Sequence, residues 1–413
     1  MSLGATDTAM QEPQPVPEER PAVPAASPGE WLRVNLFSSW PNSVVTVVFG
    51  ALIAYVGFRA VRFVFVSGRW EIIRVNLTNL MLGRFPREEL YRPWTAIFIA
   101  AFVAGIAAGV TAGRDEPPRW RDTLRRAAPL LVLLVIVLAF TRTATPVILT
   151  VASFGVGFAG RLVGMRLPAV TRRFLPWIWL ATVVAVFVAF TGFGGVGWDN
   201  WGGLLLTLYL AISGIVLSFP IGVLLALGRR SSFPAIRLVC VGYIELIRGV
   251  PLITLLFMSM LAIGLFLPDF ISTPGRVVRA IVPLVLFTAA YVAEIVRGGL
   301  QSVPRGQTEA AQAIGMPPLK ITRLIVLPQA LRNVIPALVG QFISLFKDTS
   351  LVFIVGLLDL LSVAQSVNAQ PDFVGQGLQA ETLVFASLVY WAFCYSMSRA
   401  SQRLEQRLGV GER

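Results

Sequence analysis

Few residues in this sequence are able to do covalent chemistry. Histidine is absent from all 413 positions, which excludes imidazole-based triads and His-ligated metal sites. The two cysteines, Cys240 and Cys394, lie far apart in apolar stretches and suit neither a CxxC pair nor a disulfide framework. The only lysines, Lys320 and Lys347, are followed by Ile321 and Asp348, so no GK[ST] phosphate loop exists to hold a nucleotide. The expectation is a chain with no catalytic residue, no metal and no cofactor of its own.

What stands out instead is a polar loop, EAAQAIGMPPLKITRLIVLP, at 309–328. Its residues read as a short helix over Thr308–Ile314, in which Ala310, Ala311 and Ala313 permit close approach by another surface. Gly315 supplies a left-handed stop. Pro317 and Pro318 preset a second helix over Leu319–Leu327, and Pro328 marks its end or a kink. Two short helices joined by a glycine can be a docking knob or a connector packed on its own bundle. The residues alone do not choose between them.

Charges inside apolar runs are the second constellation. Lys347 and Asp348 read as the middle of an apolar run over 334–357, where an unpaired charge costs about 2.5–3.5 kcal/mol. With Thr349 and Ser350 they either line and gate a pathway or lock neighbouring helices together. The structural role is favoured, because adjacent helical residues point about 100° apart and do not both face one lumen. Glu245 with Arg248, and Glu294 with Arg297, share an i,i+3 spacing that predicts local helical pairs at a membrane boundary. Gating or contact with a partner is the alternative for these four.

These groups must be positioned by membrane helices. The chain is 55% hydrophobic and 14% charged with a mean hydropathy of +0.72, where soluble domains run near a quarter charged. The net charge of +13 lies in arginine clusters between apolar runs, the placement that orients membrane proteins rather than a nucleic-acid surface. Runs at 43–62, 94–112, 127–141, 143–160, 174–195, 203–227, 250–267, 278–296, 334–357 and 380–398 predict eight to ten crossings of about 20 residues each. The fold class is an all-α polytopic membrane bundle. Residues 1–41, with six prolines between Pro13 and Pro28, predict a disordered cytoplasmic tail, with no signal-peptide pattern. Residues 42–196 read as an additional N-terminal transmembrane region, 197–400 as the core with its loop at 297–332, and 401–413 as a cytoplasmic tail.

Loops 228–237 and 297–332 and the C-terminal tail are rich in Lys and Arg, whereas 196–202 and 358–379 have none. Positive-inside counting therefore places the first three, and the C-terminus, in the cytoplasm. The same alternation puts 63–93 outside despite Arg69, Arg74, Arg84, Arg87 and Arg92. Either 127–160 crosses once, or 69–92 is an amphipathic helix on the outer surface, as the spacing of Ile72, Ile73, Leu77, Leu80 and Met81 predicts.

EAA, three residues, Gly315, nine residues and then Ile325–Pro328 matches the EAA loop of bacterial ABC importer permeases at every anchored position. ELIRGVPLI (245–253), AYVAEIVRGGLQSVPRGQ (290–307), LPQALRNVIPALVGQFISLFKDTSL (327–351) and WGGLLLTL (201–208) resemble polar amino acid permeases over about half the chain. GRFPREELYRPW (83–94) resembles the longer permease of general L-amino acid transporters, although more apolar sequence precedes residue 174 than that match implies.

The resemblance implies a MetI-like permease core in the bacterial inner membrane. It also implies an ATPase-coupling role for Glu309, Ala310, Ala311, Gly315, Leu327 and Pro328. The chain itself would be non-catalytic, with ATP used by a partner ATPase dimer. A second permease (or a second copy of this chain), an extracytoplasmic amino-acid-binding protein and lipid complete the expected partners. The rivals are an autonomous secondary transporter, which predicts inverted repeats, and an intramembrane enzyme, which lacks most catalytic groups here.

Overall fold

The computed structural model describes residues 27–111, 120–192, 194–268 and 273–409. They divide into two compact units, Met1–Gly68 and Arg69–Arg413. In the first unit, α1 (Pro28–Asn35) starts at a capping box in which Ser27 and Glu30 satisfy each other's backbone. The expected tail is therefore corrected: residues 1–26 lie outside the described residues, but 28–35 are helical because a proline-led, capped first turn stabilises them. α2 (Trp40–Arg62) is capped by Ser39 and ends in a π-turn at Phe63–Ser67.

The second unit continues with α3 (Glu71–Leu82), α4 (Tyr91–Thr111), α5 (Trp120–Ala139), α6 (Thr145–Arg166), α7 (Leu175–Thr191), α8 (Gly203–Arg229), α9 (Pro234–Gly249), α10 (Leu252–Phe266), α11 (Arg276–Ser302), α12 (Arg305–Ala313), α13 (Pro318–Ile321), α14 (Leu327–Asp348), α15 (Leu360–Ser366) and α16 (Gln379–Leu408). Among the described residues seven helical stretches are long and apolar enough to cross a membrane, and the pair α9–α10, bent by 106°, makes up to eight. Seven falls below the eight to ten crossings expected and eight meets their lower bound; α5 is not among these stretches. The apolar part of α7, Trp177–Thr191, is shorter than that standard. Helix α16 runs through residue 401 to Leu408 and stops at left-handed Gly409.

Helices α4 and α6 show how glycine positions set the packing. A Cβ on Gly105 would stand 2.0 Å from the Gly157 carbonyl oxygen, one on Gly160 2.2 Å from that of Phe102, and one on Gly164 2.4 Å from that of Ile106. Backbones this close need small residues at the contact, as membrane helix pairs commonly use. The contacts advance in the same direction on both helices, so α4 and α6 are parallel and the chain must return between them. Helix α5 makes that return, and the chain turns at 140–144 before α6. The stretch 127–160 is thus two helices and not one tilted rod.

α3 is the amphipathic helix expected over 69–92, but its apolar face is covered by protein. Ile72, Ile73 and Leu80 are fully buried, in a cluster with Leu360, Val363, Phe385 and Val389 of α15 and α16. Asn76 and Gln370 exchange two amide hydrogen bonds of 3.1 and 2.8 Å, and the Arg69 N–H donates to Glu381 Oε1 at 3.0 Å. The region from residue 69 onward therefore belongs to the same compact unit as the 197–400 core.

Several arginines that complicated the topology count are held by protein groups. Arg87 donates to Asn79 Oδ1 at 2.6 Å. Arg92 is buried and donates to the carbonyls of Ala189 and Gly192, each at 3.0 Å, at the end of α7.

The chain crossing between α3, α8 and the 358 loop is built on glycine. Gly83 has φ +63°, and a Cβ there would meet the Gly202 backbone at 2.4 Å. Gly202 N–H donates to Leu82 O and Gly203 N–H to Leu358 O. Gly202 and Gly203, which open the WGGLLLTL stretch, are small because two other backbones pass against them. Next to them Asp359 caps α15 through the N–H groups of Leu361 and Ser362. Burial pushes its carboxyl above the usual range.

Candidate functional site

The loop at 309–328 forms at the junction of α11 and α14. Pro304 sets the start of α12 at Arg305, three residues before the expected Thr308. Gly315 closes it with φ +78°. The Gly315 N–H donates to Gln312 O at 2.9 Å and the Met316 N–H to Ala311 O at 3.1 Å. That bond pair is a Schellman motif, which satisfies the last carbonyls of the helix. Glu309, Ala310 and Gly315 are exposed, while Ala311 is buried. Ile314 and Leu319 stand 77% and 79% exposed on either side of Gly315. Asn333 donates to Ser302 Oγ at 2.9 Å and Gln329 to Gln307 Oε1 at 3.4 Å, tying the loop to α14.

The second half of the loop departs from the expectation. Pro328 neither ends nor breaks the helix. Helix α13 continues through a π-turn at Thr322–Val326 into α14, with the Leu327 N–H bonded to Thr322 O. Pro328 then falls in the first turn of α14, where its missing N–H costs least. Pro328 is exposed, but Leu327 is half-buried and packs on the cluster of Ile244, Val296, Leu300 and Ala330. Leu327 therefore anchors the loop to the bundle instead of facing outward.

Glu294 organises the charges at the same end. It accepts from Arg297 Nε at 2.9 Å, the predicted i,i+3 pair, and lies 3.4 Å from Arg229 and 3.8 Å from Arg248. The second predicted pair is not formed. Glu245 instead bonds Arg229 of α8 at 2.9 Å, and Arg248 lies 5.5 Å above the Tyr291 ring. Tyr243 adds a bond to Leu286 O at 2.8 Å. Two carboxylates and three guanidiniums thus join α8, α9 and α11. Arg229 was not expected in this group, although its place at the end of the 203–227 run was a usable signal.

Lys347 and Asp348 are elsewhere. They lie in the last turn of α14, followed by a 3₁₀ turn at Thr349–Val355 and left-handed Gly356, within the apolar stretch Pro318–Val355. The helix began earlier than the hydropathy run because the π-turn carries it through Pro328. Lys347 is exposed, Asp348 is half-buried, and Thr349 is buried with its hydroxyl on Phe346 O at 2.8 Å. They lie near the end of α14, whereas Glu294 on α11 pairs with Arg229, Arg248 and Arg297, so the pathway candidates form two separate groups.

At the opposite end from α12 lies a cavity of about 410 Å³. Its lining includes Arg84, Asp199, Trp201, Arg276 and Arg279, none of which the sequence reading placed in a site. No group of three metal-ligating side chains occurs among the described residues.

Comparison with known proteins places this geometry in context. Residues 218–410 match the profile of the family described as "Binding-protein-dependent transport system inner membrane component". The inner membrane amino-acid ABC transporter permease YhdY of Escherichia coli is 37% identical over 92% of this chain and 93% of its own length. The glutamate/glutamine/aspartate/asparagine permease BztC of Rhodobacter capsulatus is 46% identical over 51% of this chain and 48% of its own. A crystal structure of an amino acid ABC transporter shares 30% identity over 50% of this chain and 92% of that one, with a TM-score of 0.44.

Proposed function

The chain belongs to the permeases of amino acid ABC importers, and from that membership we propose how this permease is coupled and oriented. It is a multi-pass inner-membrane subunit that catalyses no reaction. ATP is used by a separate ATPase, and an amino-acid-binding protein supplies the cargo. Helix α12 is its coupling element. The observation that carries this reading is the exposed pair Ile314 and Leu319 flanking the Schellman-capped Gly315, with Glu309 and Ala310 exposed on the same short helix. Apolar side chains this exposed beyond the membrane-spanning helices mark a protein contact, and the ATPase is the partner that an importer permease must move.

The α12 end then faces the cytoplasm, together with the C-terminus of α16 and the Glu294 cluster. ATP-driven closure of the ATPases would displace α12. Ties at Gln307–Gln329 and Asn333–Ser302 pass that displacement to α11 and α14. The Glu294 cluster joins the three helices that a cytoplasmic gate would have to separate. A second permease, or a second copy of this chain, completes the pathway. Polar L-amino acids are the cargo class, in keeping with the substrates named for BztC.

The test is uptake by the reconstituted transporter. We expect Glu309→Lys and Gly315→Val to leave the chain inserted in the membrane while ATP-dependent uptake falls at least tenfold. Wild-type uptake in both variants would remove α12 from the coupling role.

A further inference from the structure

Arginine is scarce on outward loops because membrane insertion retains basic residues on the inside. Yet three arginines converge on the cavity at the far end from α12, and they come from distant parts of the chain. Arg84 follows the glycine crossing at Gly83, and Arg276 and Arg279 belong to the first turn of α11. That 27-residue helix separates the cavity from α12 by about 40 Å.

The three arginines are not equivalent. Arg279 is committed to the fold: its Nε donates to Pro274 O at 2.8 Å and its Nη1 to Met260 O at 3.1 Å. The side chains of Arg84, Arg276 and Asp199 have no hydrogen-bond or ion-pair partner among the described residues. The cavity therefore presents two uncommitted guanidiniums and one uncommitted carboxylate, beside the buried Trp201 ring and Leu357.

We propose that this cavity is an outward-facing binding site for an acidic L-amino acid, whose two carboxylates pair with Arg84 and Arg276 and whose ammonium pairs with Asp199. The match is one of charge number and sign. A dicarboxylic amino acid brings two negative groups and one positive group, the complement of what the cavity leaves unpaired. A neutral amino acid leaves one guanidinium without a partner, and a basic one opposes both. Guanidinium–carboxylate pairs are the strong, geometrically specific kind. About 410 Å³ lies within the usual range for a small-molecule pocket of roughly 300–1,000 Å³. Arg84 comes from the segment before the shared permease core, which gives that segment a part in cargo handling. The proposal rests on the importer reading and on the orientation given above.

The experiment is equilibrium binding of radiolabelled L-glutamate to the assembled permease–ATPase complex in nanodiscs, without binding protein, beside uptake assays on the same complex with binding protein and ATP. We expect saturable L-glutamate binding at least tenfold tighter than L-glutamine or L-arginine. It should weaken at least fivefold in Arg84→Gln, Arg276→Gln and Asp199→Asn, and also at raised salt. All three side chains are exposed, so assembly should survive, and size-exclusion profiles check this. Normal uptake with no glutamate binding, or with binding that ignores the three variants, would overturn the cavity proposal alone. Variants that weaken only the capture of binding protein would also overturn it, by making the arginines a docking surface. A wild-type complex that hydrolyses ATP but imports no amino acid would instead sink the importer reading.

Discussion

Glu294 illustrates how much one side chain can organise at a membrane boundary. Three guanidiniums face its two oxygens, and each comes from the end of a different helix or from one turn further along α11. Partly exposed ion pairs are individually worth about 0–1 kcal/mol, so no single contact here stabilises much. The network matters because Glu294→Gln removes the only carboxylate that Arg248 and Arg297 share among the described residues and leaves Arg229 with Glu245 alone. We expect that variant to lose about 1 kcal/mol of stability and to import less amino acid per ATP hydrolysed. A thermal melt of the complex with paired ATPase and uptake assays checks both, and unchanged coupling would confine Glu294 to local structure. The sequence showed the Glu294–Arg297 spacing plainly. It did not show Arg229 or the exchange of partners between Glu245 and Arg248, because those depend on how α8, α9 and α11 cross.

At the scale of elements, α4 and α6 make the sharpest claim. Their glycines are not interchangeable with others in the same helix. A side chain on Gly105 of α4 would enter the Gly157 carbonyl of α6, and one on Gly160 of α6 the Phe102 carbonyl of α4, whereas one on Gly155 of α6 meets nothing within 4 Å. We therefore expect Gly105→Leu to abolish stable accumulation of the protein, or to lower its melting temperature sharply, and Gly155→Leu to be nearly neutral. Expression level and detergent melting curves read the contrast directly. Equal effects from the two would mean that α4 and α6 do not pack as described. Hydropathy found both helices but read them as ordinary spans, since a glycine looks the same in sequence whether it meets a backbone or lipid. The same limit applies to α3. Its periodicity was legible, but not what its apolar face packs on, because only the tertiary contacts show protein covering Ile72, Ile73 and Leu80.

For the whole molecule, the two ends of the bundle differ in chemistry. One carries α12 and the Glu294 cluster. The other carries the glycine crossing, the arginine-lined cavity and the Asn76–Gln370 pair. We expect single cysteines at Glu309→Cys and Asp199→Cys, in a background with Cys240→Ser and Cys394→Ser, to be labelled from opposite sides of the membrane. In intact cells a membrane-impermeant maleimide should reach position 199 and not 309. The reverse pattern would invert the orientation and with it the coupling role of α12.

Sequence alone determined the solvent, the chemistry and the family. Long apolar runs fix a bilayer environment, the lack of histidine and of a phosphate loop removes imidazole triads and P-loop nucleotide binding, and the anchored EAA spacing points to an importer permease. These follow from composition and from short-range order along the chain, where each residue's neighbours are its own sequence. Tertiary structure decided which ends of helices meet. It carried α14 through Pro328, ended that helix at Lys347 and Asp348, and put Arg92 on the carbonyls of α7. It also brought Arg84, Asp199 and Arg276 to one cavity across almost two hundred residues of chain. Each of these depends on contacts between segments far apart in sequence, set by where glycine lets two backbones approach, and no local pattern records them.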